Sequence, residues 1–148
     1  MAATARSRQL LARMIRVNHA GEFGAQRIYA GQLAVLRDTP SGPVIKVPFA
    51  SENVTHAYQE MADQEDEHFD KFSEFLKQRR VRPTVLEPFW KAAGFALGAA
   101  TAALGSKAAM ACTVAVEEVI GDHYNQQLRD MLEEGLDKTE PELFKVYE

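Results

Sequence analysis

The sequence predicts an all-α chain, and three observations carry that reading. Apolar residues recur at spacings of three and four along most of the chain. No alternating run of useful strand length interrupts them. Prolines and glycines gather at 38–43, 82–88, 105 and 135, and these breakers divide the periodic stretches into five helical pieces. With 148 residues the chain suits one domain. A domain of that size buries roughly 70% of its unfolded surface, enough for a real core.

The first helix is expected over 10–37, with Ile15, Phe23, Ile28, Leu33, Val35 and Leu36 as its apolar positions. It stops at 38–43, where two prolines and a glycine cannot continue a helix. A short apolar connector over 44–50 contains Pro48. Ser51 suits an N-cap and Glu52 the positive helix end, opening a second helix over 52–80. Val54, Tyr58, Met61, His68, Phe72 and Phe75 mark its inward stripe. A third helix is expected over 89–104 and a fourth over 107–134, with Gly135 as its C-cap. Thr139 as N-cap and Pro141 near N1 predict a fifth over 138–148.

Composition excludes several classes. A net charge of −4 with 26% charged residues fits neither a disordered polyelectrolyte nor a generally basic nucleic-acid binder. The single cysteine, Cys112, excludes an internal disulfide framework and a cysteine-based zinc or iron–sulfur site. Charge is uneven along the chain. Residues 1–21 carry four arginines and no acid, whereas 128–148 carry seven acids and three bases. Residues 1–13 read either as a targeting remnant or as a helix start with a few arginines. The remainder, 14–148, reads as one helical domain.

The most apolar stretch, 92–106, lies between Lys91 and Lys107. As a helix it reaches about 22 Å, short of the ~30 Å hydrocarbon core of a bilayer. It is therefore either a close-packed helix using small residues such as Gly94 and Gly98, or a helix lying in a membrane surface with Phe89, Trp90, Phe95 and Leu97 dipping in.

The sharpest chemical signal is Glu65-Asp66-Glu67-His68. Glu65 and His68 are three apart and project from one helix face, and a carboxylate with an imidazole suits iron or manganese. The ordinary alternative is a solvated acidic face. Di-iron carboxylate bundles take one Glu from each of two helices and a Glu-x-x-His from each of the other two. The first helix offers Glu22 among the small residues Ala20, Gly21, Gly24 and Ala25, which would allow close helix approach. The fourth offers Glu117 directly after the uncharged run CTVAV, an odd place for an acid unless a metal or an arginine compensates its burial. Among the four histidines only His68 has a glutamate three residues before it, so four of six ligands are present.

Four blocks cover most of the chain: RVNHAGEFGAQRIYAGQLAVL, EDEHFDKF, VRPTVLEPFWKAAGFALGAATAALG and AMACTVAVEEVIGDHYNQQLR. On them the sequence resembles the demethoxyubiquinone hydroxylase family of ubiquinone biosynthesis, which includes the nematode clock protein. The resemblance implies a ferritin-like di-iron helical bundle with Glu22, Glu65, His68 and Glu117 as iron ligands. It implies that His123 and Tyr124 sit close to the site and order the ligands. The implied activity is O2-dependent hydroxylation of the demethoxyubiquinol ring, with two irons per complete site and NADH as electron donor. The implied location is peripheral, on the matrix side of the mitochondrial inner membrane or on a bacterial cytoplasmic membrane. The implied partners are the lipid quinone, the membrane surface and a lipid-binding accessory protein of the same pathway, with no nucleic acid. On this resemblance 89–106 becomes a lipid-facing helix.

Two departures from the family pattern stand out. Residues at about 47–58 read as an insertion, whose Asn53-Val54-Thr55 glycosylation triplet would be silent in a matrix protein. Second, the second Glu-x-x-His helix and the closing helix of the family have no counterpart here. The expectation is an incomplete bundle that holds one iron weakly and hydroxylates poorly. The rival expectations are a non-catalytic quinone- or partner-binding isoform at the membrane surface, and a partial bundle with an uncovered apolar face.

Overall fold

The computed structural model describes residues 4–36 and 52–147, leaving aside the side chains of 52–55 and 57. Five helices follow in order: α1 Ala5–Leu36, α2 Glu52–Arg79, α3 Glu87–Ala103, α4 Ser106–Glu133 and α5 Pro141–Tyr147. No strand occurs among the described residues. The expected turn at 38–43, the connector at 44–50 and the Ser51 cap lie outside the described residues. So does the first part of the insertion; of the 53–55 triplet only the helical backbone is described.

Helix α1 begins five residues earlier than its apolar pattern implies. Thr4 Oγ1 accepts the Ser7 amide at 3.1 Å, an N-cap that starts the helix upstream of the first apolar residue. Arg6 pairs with Glu134 at 2.9 Å, so the basic start meets the acidic C-terminal stretch over 128–148. Residues 5–13 thus run without a break into the rest of α1, and Leu11 among them is in the core. Helix α4 ends as expected, with Gly135 in the left-handed region (φ 65°) and the Leu136 amide bonded back to Met131 O at 2.8 Å. Helix α2 closes in the same way, but a non-glycine residue, Arg80 (φ 52°), takes the turn. Thr139 does not cap α5. Its hydroxyl faces Leu136 O at 3.4 Å, and the helix opens one residue later, after Glu140, whose carboxylate takes a bond from Arg79.

Helix α1 is the central element and packs against α2, α3 and α4, while α5 packs on α4. Two apolar clusters fill the interior. One joins Leu11 and Ile15 to Phe72, Met131, Leu143 and Tyr147. The other joins Tyr29, Leu33 and Leu36 to Tyr58, Ala102 and Ala109. On each long helix the residues between these clusters form a polar level: 18–22 on α1, around Glu65 on α2, and around 117–124 on α4.

Helix α3 combines both readings of the apolar stretch. Its Gly94, Gly98 and Ala102 face is buried. A Cβ on Gly98 would stand 2.0 Å from Ile28 O, so only glycine permits this approach to α1. Outside the contact with α1, Phe89, Trp90, Phe95 and Leu97 remain exposed. No described helix is long and apolar enough to cross a membrane.

Candidate metal centre

Glu22 lies on the buried face of α1 at 1% exposure, and Glu65 on the facing side of α2 at 6%. His68, one turn after Glu65, reaches the same point from a more exposed position. Its Nδ1 is 3.8 Å from Glu22 Oε2. Ligand atoms of Glu22, Glu65 and His68 all lie within 4.8 Å of one another. The i, i+3 spacing brought the α2 pair together, as expected. Helix packing added Glu22.

The electrostatics of the group suit a cation. Burial first, then the adjacent Glu22 and the charges of Glu117 and Asp66, push the Glu65 carboxyl up to about 9. Buried Oε2 atoms of both Glu22 and Glu65 have no hydrogen-bond partner. Two orphaned carboxylate oxygens beside an imidazole fit a hard or borderline divalent metal.

Glu117 stands apart from this group of three. It is exposed on α4, so the expectation that an acid after CTVAV must be buried fails: the helix turns that position out of the core. The Tyr29 hydroxyl donates to its Oε1 at 3.0 Å, and its charge acts on Glu65. Tyr124, half-buried on α4, donates its hydroxyl to Glu22 Oε1. His123 lines the wall of the adjoining cavity and is exposed.

Tyr29 was not singled out by sequence reasoning. A signal existed: Glu22 and Tyr29 are seven apart, as are Glu117 and Tyr124. Burial and neighbouring carboxylates push the ionisation of both phenols upward, so both are neutral donors.

A cavity of about 590 Å³ opens beside the carboxylates, between α1, α3 and α4. Its polar edge includes Asn18, Glu22, His123 and Tyr124, and the remaining wall is mainly apolar. Gly21 and Gly24 border it, and a Cβ on either would meet nothing within 4 Å. The small residues around Glu22 thus leave room for the cavity, and at Gly24 they also admit α3, since a Cβ on Gly94 would stand 3.1 Å from Gly24 O. Trp90, Leu97 and Val119 connect the cavity to the exposed apolar surface.

A helical bundle with carboxylates and a histidine converging between its helices defines a class, the carboxylate-type metal-site bundles. Within that class the assignment is specific: over residues 9–148 the chain matches, and belongs to, the family described as Ubiquinone biosynthesis protein COQ7. It is 55% identical over 134 residues to a Homo sapiens protein named NADPH-dependent 3-demethoxyubiquinone 3-hydroxylase, mitochondrial, covering 90% of this chain and 56% of that protein. A protein of the same name from Dictyostelium discoideum is 54% identical over 133 residues, covering 90% of this chain and 55% of that one. A Rhodospirillum rubrum protein named 3-demethoxyubiquinol 3-hydroxylase is 50% identical over 119 residues, covering 80% of this chain and 50% of that protein. The chain spans about half the length of these curated relatives. The eukaryotic names specify NADPH where the sequence resemblance implied NADH.

Proposed function

We propose that the chain acts as a demethoxyubiquinone hydroxylase, an O2-dependent monooxygenase of ubiquinone biosynthesis. The observation that carries the reading is the convergence of Glu22, Glu65 and His68 within 4.8 Å, with two orphaned carboxylate oxygens, where Glu22 also lines a mainly apolar cavity. Names of relatives at 50–55% identity support the substrate class. Glu22, Glu65 and His68 would hold iron, with Glu117 joining from α4. Bound iron supplies the redox chemistry that activates O2, with electrons from a nicotinamide donor, NADPH by the relatives' names. Tyr124 fixes one oxygen of Glu22 and so leaves the other for the metal. The cavity excludes water from the quinol ring, and its apolar wall takes the start of the isoprenoid tail. Trp90 and Leu97 offer that tail a route to a lipid surface. On this reading the protein is peripheral to the membrane that carries the quinone, the mitochondrial inner membrane in a eukaryote, in keeping with the word mitochondrial in two relatives' names. There it would meet a lipid-binding accessory protein.

The exposed apolar row on α3 supports a second reading, a non-catalytic quinone- or partner-binding protein at a membrane surface. Anaerobic Fe(II) titration and a demethoxyquinone hydroxylation assay on wild type and Glu65→Gln separate the two. The enzyme reading expects saturable iron uptake and turnover in wild type, both lost in Glu65→Gln, with quinone-analogue binding retained. Equal iron uptake by both proteins would overturn it. Quinone binding without turnover in wild type would favour the second reading.

A further inference from the structure

The seam between α1 and α4 is a ladder of reciprocal polar pairs. Asn18 and Gln127 exchange two amide bonds of 2.7 and 2.8 Å. Tyr124 donates to Glu22, and Tyr29 donates to Glu117 at 3.0 Å. Gln32 bonds Thr113 at 3.3 Å and Ala109 O at 3.0 Å. Each helix presents the same series: a small polar residue, a glutamate four further on, a tyrosine seven beyond that, and a glutamine three later. Because the helices run antiparallel, each tyrosine meets the other helix's glutamate. The seam therefore has an approximate twofold axis through the carboxylate level.

We propose that Tyr29 is a positioning residue that orients the Glu117 carboxylate toward the metal centre, as Tyr124 orients Glu22. The assignment rests on the metal-centre reading above. Glu22 is held by burial as well as by its tyrosine. Glu117 is exposed, so burial does not hold its side chain as it holds Glu22. Tyr29 is 2% exposed, with its ring against Tyr58 of α2 at 6.5 Å between centroids. A hydroxyl fixed between three helices occupies one oxygen of Glu117 and sets the direction of the other. Ligand carboxylates depend on such hydrogen-bond partners, whose loss typically weakens metal binding by 10–100-fold.

The test is a Co(II) titration of the purified chain, followed by visible absorption, on wild type, Tyr29→Phe, Glu117→Gln and the double variant. Tyr29→Phe removes one oxygen and keeps the ring, so circular dichroism and melting should stay near wild type. The expected result is about tenfold weaker Co(II) binding and an altered absorption band in Tyr29→Phe. In the Glu117→Gln background the same change should have no further effect, an outcome that a purely structural role would not give. Wild-type affinity in Tyr29→Phe, or independent losses in the double variant, would overturn the assignment alone. Failure of the wild-type chain to take up Co(II), or full uptake by Glu65→Gln, would overturn the metal-centre reading and this assignment with it.

Discussion

At neutral pH the Glu65 carboxyl keeps its proton in the metal-free protein, because its ionisation is pushed up to about 9. In the unfolded chain it ionises near 4.5. Between those values the folded state binds more protons, so Glu65 lowers stability as pH rises. His19 acts in the opposite sense. It is buried against Phe69 with its ionisation lowered by burial, so its contribution is lost as pH falls through 6.5. From pH 6.5 to 9 only the Glu65 effect operates of these two. Urea midpoints of the metal-free chain should fall across that window and stay level in Glu65→Gln. Added divalent metal should weaken the fall, since the metal replaces the proton. At this scale Glu65 and His68 were legible in the sequence because a helix turn alone brings them together. Tyr29 was not, because its partner is 88 residues away.

Among the helices, the α1–α3 pair shows most directly how glycine sets geometry. Gly98 lies against the Ile28 carbonyl, and Gly31 of α1 lies equally close to Phe95 O. Gly98→Ala must separate the helices, and should cost about 1–3 kcal/mol in a thermal or denaturant melt. Gly121 of α4 has nothing within 4 Å of a Cβ, so Gly121→Ala should gain about 0.5–1 kcal/mol from helix propensity. A similar loss at both positions would show that close approach is not what glycine provides at 98. The sequence located these helices to within a few residues because prolines and glycines bound them. It misjudged the start of α1, where a threonine cap acts ahead of any apolar residue. At α5 it placed Pro141 at the helix start correctly but misjudged the cap, since Thr139 only turns back on the preceding loop.

Over the whole molecule, apolar side chains gather on one exposed side, with Leu86, Phe89, Trp90 and Leu97 along α3 and Val119 on α4. Contiguous exposed apolar surface marks an interaction site. Trp90 is the sole tryptophan of the chain, so its fluorescence reports on this side alone. Anionic phospholipid vesicles should shift its emission to the blue, and Phe89→Glu should weaken that binding several-fold without changing helix content. An unshifted emission would mean that this side does not meet lipid. The outer face of α3 was legible in its run of aromatics. Its inner face was legible too, in Gly94 and Gly98, but the two were read as alternatives, because one short apolar stretch serves both contacts.

Local chemistry determined the all-helical class, the five helices and the projection of Glu65 and His68 from one face, since each depends on residues a few positions apart. The ligand pattern of carboxylate bundles supplied Glu22 and Glu117 as candidates, and the family resemblance added His123 and Tyr124. Only the packing of α1 against α2 and α4 decided which of them meet: Glu22 joins the cluster, Glu117 stands exposed at its edge under Tyr29, and His123 faces the cavity. Burial, orphaned oxygens and shifted ionisation arise from distances between helices, and helical periodicity along one chain does not encode those distances.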